Sequence, residues 1–162
     1  MTVTDELLSN NDSYASGFSK GDLPMPPGKK VAVVACMDAR LDPARALGLE
    51  EGDAHVIRNA GGVITDAEIR SLAISQTLLG TEEIILLHHT DCGMLTFTDD
   101  QLAAQLEEAT GQRPEWSARS FDDLDDDVRD SIRRIEESPF VTHKNVRGFV
   151  YEVETGRLRE VA

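Results

Sequence analysis

Hydrophobic residues along this chain follow two rhythms. Unbroken runs rich in β-branched and aliphatic side chains, VAVVAC at 31–36 and EIILLHH at 83–89, predict strands buried on both faces. AHVIRN at 54–59 predicts a third strand, ending in the flexible AGG. Between and beyond them the spacing becomes helical. Asp42 as N-cap, Pro43 at the first helical position and Gly48 past the end bound a short helix. Thr65 and Glu68 form a capping box ahead of AEIRSLAISQTLLG, which Gly80 closes. Thr98 and Gln101 form another, for a helix running to about Gly111. FDDLDDDVRDSIRRI puts Phe121, Leu124, Val128, Ile132 and Ile135 on one helical face and its aspartates on a solvated one. GFVYEVETGRLREV closes the chain as a strand and a hairpin around Glu154-Thr155-Gly156.

Strands alternating with helices predict an α/β fold, a mainly parallel β-sheet core flanked by helices. That core occupies a single domain over 31–162. Residues 1–30 form an N-terminal arm: VTDELLSNND has helical spacing, and SGFSKGDLPMPPGKK is an extended stretch broken by Gly and Pro. In folds of this class ligands collect at the carboxyl ends of the strands. The predicted ends carry Cys36 with Asp38 and Arg40, Arg58-Asn59, and His89 with Cys92.

Charge narrows the partners. With 16 basic and 30 acidic residues the net charge is −14, which disfavours nucleic acid and anionic membrane and suits a neutral substrate. MTVTDELLSNND has no basic n-region, and no run approaches the length of a membrane span, so the expected compartment is the cytoplasm. Thiols stay reduced there, which leaves the two cysteines buried and inert, reactive, or bound to metal.

Cys36, His89 and Cys92 make a soft Cys₂His set that suits zinc. With no further cysteine, three protein ligands leave a fourth position open, as in catalytic zinc sites. The competing interpretation is two buried cysteines and a hydrogen-bonded histidine at a strand end. Asp38 and Arg40, two apart, can form a bidentate pair. A carboxylate held in this way beside zinc either accepts the proton of a bound water or takes the fourth position itself. Without adjacent ligands the pair is an ordinary local salt bridge.

CMDARLD, RNAGG and HHTDCG, in this order and at these separations, resemble the β-class carbonic anhydrases, most closely the small single-domain members with HHTDCGM. The resemblance implies one zinc per chain on Cys36, His89 and Cys92, and an Asp38–Arg40 dyad. Asp38 is then a hydrogen-bond acceptor for the hydroxide at zinc, or the fourth ligand in a closed state. The implied reaction is reversible hydration of carbon dioxide to bicarbonate and a proton. A homodimer or higher assembly follows too, with the arm embracing the neighbour. Arg58 and Asn59, with the backbone of Ala60, Gly61 and Gly62, are expected to shape the pocket floor. Alternation along the strand turns His88 away from the ligands, and His55 and His143 are proton shuttles only if the fold brings them to the site.

Three rival functions share these residues. Hydrolysis of carbonyl sulfide or carbon disulfide uses the same motifs. A non-catalytic zinc or redox-sensing site has no need of the Asp38–Arg40 pair. A nucleotide-binding domain lacks both a P-loop and G-x-G-x-x-G in RNAGGVITD.

Overall fold

In the computed structural model, which describes residues 1–162, one five-stranded sheet organises the chain. β1 (Val31–Cys36) lies between β2 (Ala54–Asn59) and β3 (Glu83–His89); β4 (Asn145–Tyr151) and then β5 (Leu158–Glu160) continue beyond β3. The first four strands run parallel, and β5 returns antiparallel to β4 as the predicted hairpin. Every residue of β1 is buried. Its alternate side chains feed two cores, as the pleat requires. Ala32 and Val34 join Ile64, Leu72, Ile84, Leu86 and Ile135 on one face. Val33 and Ala35 join Leu41, Leu87 and Met94 on the other. Residue pairings Cys36–Asn59, Ala35–Leu87 and His89–Tyr151 bring the carboxyl ends of β1 to β4 to one edge of the sheet.

The helices begin and end where local chemistry dictates. α2 (Pro43–Leu47) starts at Asp42, whose side chain accepts from Arg45 N, and stops at Gly48 in the left-handed conformation. α3 (Asp66–Leu79) and α4 (Asp99–Thr110) have the capping boxes Thr65/Glu68 and Thr98/Gln101, and end at the left-handed Gly80 and Gly111. α5 (Leu124–Glu137) is capped by Asp123, so Phe121 precedes the helix instead of lying on its face, and packs against His88. The arm helix α1 (Val3–Ser16) is longer than the VTDELLSNND stretch because no Gly or Pro interrupts it before Gly17. It buries none of its residues. Tyr14 and Lys20 tether the arm to Glu50 and Glu51. No helix of the chain is long and apolar enough to cross a membrane.

α5 crosses β4 at Gly148, where a methyl group would collide with the side chain of the fully buried Val128. Gly148→Ala is expected to destabilise the protein by about 1–3 kcal/mol through overpacking. Denaturant unfolding of the two proteins checks this; an unchanged midpoint would show that the helix can shift away freely.

Candidate metal centre

β1 and β3 are adjacent and parallel, so their last residues, Cys36 and His89, converge at the same edge. The turn at Thr90-Asp91 then brings Cys92 back beside them. The two sulfurs and one imidazole nitrogen lie within 4.8 Å of one another, and all three residues are buried. His89 Nε2 is 3.2 Å from Cys36 Sγ. On the other side of the ring, His89 Nδ1 is 2.8 Å from the Thr90 carbonyl oxygen. A carbonyl only accepts, so Nδ1 carries the hydrogen, and in the neutral ring the Nε2 lone pair faces the sulfurs.

The thiols share protons unequally. Cys36 is held well below the usual thiol range, chiefly because the Cys92 thiol donates to it; burial opposes this, while His89 and the backbone N–H groups of Asp38 and Gly61 assist. Cys92 is pushed far up because its proton is held against the Cys36 sulfur, and burial adds to the rise. For His89 burial acts downward, yet the Cys36 sulfur and the Thr90 carbonyl carry the imidazole above its usual value. A metal ion held by all three groups must displace the Cys92 proton, so its uptake is favoured as pH rises. Two thiolates and an imidazole are donors for a soft or borderline cation, and zinc fits them.

Asp38 stands beside this cluster. Its Oδ1 accepts from Arg40 N at 2.8 Å and Nε at 3.0 Å, and its Oδ2 accepts from Arg40 Nη2 at 2.9 Å. Oδ2 also lies 3.6 Å from His89 Nε2. The Arg40 side chain, then its backbone N–H, hold the Asp38 carboxyl well below the ordinary carboxylate range. Arg40 has a second partner that the sequence did not flag. Its Nη1 donates to Asp91 Oδ2 at 2.8 Å, and its Nη2 to the Asp91 carbonyl at 3.0 Å.

The residues expected to form a pocket floor hold the backbone around the cluster. Arg58 turns its Nε and Nη2 onto backbone carbonyls: Cys36 O at 3.0 and 2.7 Å, Asp38 O at 2.9 Å and Leu41 O at 2.7 Å. It braces the loop after β1 from behind. Asn59 Nδ2 donates to Val63 O at 2.8 Å, and its buried Oδ1 has no hydrogen-bond partner. Gly61 and Gly62 have φ of 86° and 69°. A Cβ at Gly62 would sit 2.9 Å from the Cys36 backbone nitrogen, so this glycine lets the chain press against the ligand strand. His88 faces away from the ligands as alternation requires, with Nε2 2.6 Å from Asp127 Oδ2. His55 hydrogen-bonds Ser75 and lies four residues before the end of β2, about 13 Å from the site at the usual strand rise. His143 precedes β4, at the opposite end of the sheet. Neither is placed to shuttle protons directly.

Known proteins share the sequence and the fold of this chain. The family model described as carbonic anhydrase matches residues 31–158. Beta-carbonic anhydrase 1 of Mycobacterium tuberculosis is 67% identical over 162 residues, covering 99% of either chain. The crystal structure of carbonic anhydrase from Streptococcus mutans superposes with a TM-score of 0.95 at 43% identity, covering 100% of this chain and 99% of that one. A carbon disulfide hydrolase of Acidithiobacillus thiooxidans is 33% identical over 181 residues, 98% of this chain and 90% of its own length. The family model spans β1 to β4 and the Cys36, His89 and Cys92 side chains, and the chain belongs to the β-carbonic anhydrase family of enzymes, whose members hydrate carbon dioxide.

Proposed function

We propose that Cys36, His89 and Cys92 hold one zinc ion per chain and that the protein interconverts carbon dioxide and water with bicarbonate and a proton. The observation that carries this reading is a buried Cys₂His cluster with a carboxylate pinned beside it by an arginine. When bound, zinc supplies hydroxide near neutral pH by lowering the pKa of water. Thr90 orients the His89 ring through its carbonyl, and the N–H groups of Asp38 and Gly61 support the Cys36 thiolate. Asp38, kept ionised by Arg40, accepts a hydrogen bond from the attacking oxygen and so aims its lone pair at carbon dioxide. Oδ1 accepts two bonds from Arg40 and Oδ2 only one, so Oδ2 keeps a lone pair facing the cluster for that hydrogen bond. Arg58 keeps the Cys36–Leu41 segment in the shape that sets Asp38 at this distance. A neutral substrate also suits a chain of net charge −14.

The arm of residues 1–30 fits packing on a second copy of the chain, since Val3, Leu7, Leu8 and Met25 are exposed in the protomer. Two free cysteines fit a reducing compartment such as the cytoplasm. The similarity to carbon disulfide hydrolases supports a second reading, in which the same cluster attacks that other linear, electrophilic substrate. Zinc content, carbon dioxide hydration and sulfide release from carbon disulfide, measured on one sample, separate the two. One zinc per chain with fast hydration is expected. Zinc with sulfide release alone selects the second reading, and failure to bind zinc on reconstitution overturns both.

A further inference from the structure

Arg40 makes more bonds than its pairing with Asp38 requires. One edge of the guanidinium, Nε and Nη2, lies along the Asp38 carboxylate. The opposite edge, Nη1 with the second hydrogen of Nη2, meets the Asp91 carboxylate and the Asp91 carbonyl. We propose that Asp91 is a positioning residue of the hydration site, which clamps the far edge of Arg40 so that the near edge stays on Asp38. This rests on the zinc-dependent hydration proposed above and adds a carboxylate that touches neither the ligand cluster nor Asp38.

An arginine side chain has many rotamers, and Arg40 is 48% exposed. Paired with Asp38 alone, its outer edge would be in water and free to swing. Asp91 removes that freedom because its own place is fixed. It sits in the left-handed region at φ 55°, which aspartate tolerates better than most side chains. The turn that carries it is pinned to the C-terminal hairpin: Thr90 N donates to Tyr151 O at 2.9 Å, and Val153 N donates to Thr90 Oγ1 at 3.0 Å. The same turn separates His89 from Cys92. Arg40 therefore joins the loop after β1, which carries Asp38, to the turn after β3, which carries two of the three metal-ligating groups. A contact confined to two mobile side chains would lack the bond to the Asp91 carbonyl.

The Asp91 side chain is 79% exposed, so its removal leaves the core intact and its effect is modest. Exposed pairs of this kind are worth at most about fivefold in an equilibrium or a rate. Zinc-loaded wild type, Asp91→Asn, Asp91→Ala, Arg40→Ala and the double variant Arg40→Ala/Asp91→Ala test the idea. Three readouts apply: zinc content, kcat/KM for carbon dioxide hydration, and water exchange of the Arg40 Nε–H followed by NMR. Asp91→Ala is expected to keep its zinc, lose about two- to fivefold in kcat/KM and exchange the Arg40 Nε–H faster. Asp91→Asn, which keeps an acceptor oxygen and tolerates the same backbone conformation, should recover part of both effects. In the Arg40→Ala background the Asp91 substitution should change nothing further.

Wild-type kcat/KM with unaltered Nε–H exchange in Asp91→Ala overturns the proposal, and so does an equal loss in the Arg40→Ala background. If Arg40→Ala is slow while Asp91→Ala is not, only the Asp91 role falls. If Arg40→Ala hydrates carbon dioxide at the wild-type rate, the Asp38–Arg40 reading falls first.

Discussion

Cys92→Ser is expected to fold, to lose zinc and to hydrate carbon dioxide at no more than the background rate. A serine hydroxyl fills nearly the same volume as the thiol and can still donate a hydrogen bond to Cys36, so the buried cluster is not left with an orphaned donor. It cannot replace a thiolate, because an alcohol does not ionise near neutral pH. Loss of a group that only orients a metal ligand costs about 10- to 100-fold in affinity. Losing one of three ligands should therefore cost more than about 100-fold. Metal analysis after dialysis, with an unfolding curve to show that the fold persists, reads the result. A variant with full zinc and full activity would remove Cys92 from the ligand set.

Asp38→Asn is expected to show the opposite pairing, with zinc kept and activity lost. The amide can point only one oxygen at Arg40, and its NH₂ then meets donors where the carboxylate offered an acceptor. The ionised acceptor that would orient the attacking oxygen disappears with the charge. Proton-accepting and orienting groups of this kind contribute about 10²–10⁴-fold, so kcat/KM should fall within that range. Because the Asp38 oxygens lie outside the cluster of three donor atoms, the metal content should match wild type. Zinc lost along with activity would instead assign Asp38 as a ligand and the closed arrangement as the working one.

What the sequence made legible follows from how local each signal is. The capping boxes at Thr65/Glu68 and Thr98/Gln101 are reciprocal bonds between side chain and backbone within four residues, so α3 and α4 begin where the residues say. The apolar runs 31–36 and 83–89 became β1 and β3 with the same ends, since Lys30 and Glu82 precede them and Asp38 and Thr90 lie just after. Cys36, His89 and Cys92 were legible because soft donors are rare in this chain and two of them fall on predicted strand ends. Side-chain direction after a strand ends is another matter. Arg58 was legible as a residue near the site, but its bonds to three carbonyls of the loop after β1 were not. No local pattern records that those carbonyls need a donor. Asp91 was hidden for the same reason, since an aspartate in a polar turn has no periodicity, and its partner Arg40 lies on a distant loop. Phe121 kept helical spacing with Leu124 and Val128, but Asp123 caps the helix after it and ended the resemblance.

The three candidate ligands straddle two adjacent strands, Cys36 at the end of β1 and His89 at the end of the central β3, with Cys92 just beyond. A cation held there, as proposed, would act as a rivet between the two most buried strands, at the end where the sheet has no further residues to pair. Without it, transient opening can start at that end and run inward along both strands; with it, the strands part only when coordination breaks. Amide hydrogen exchange in the last residues of β1 and β3 thus reports metal occupancy through a property unrelated to catalysis. With zinc bound as proposed, the slow motions of the sheet would depend on the supply of metal in the surroundings.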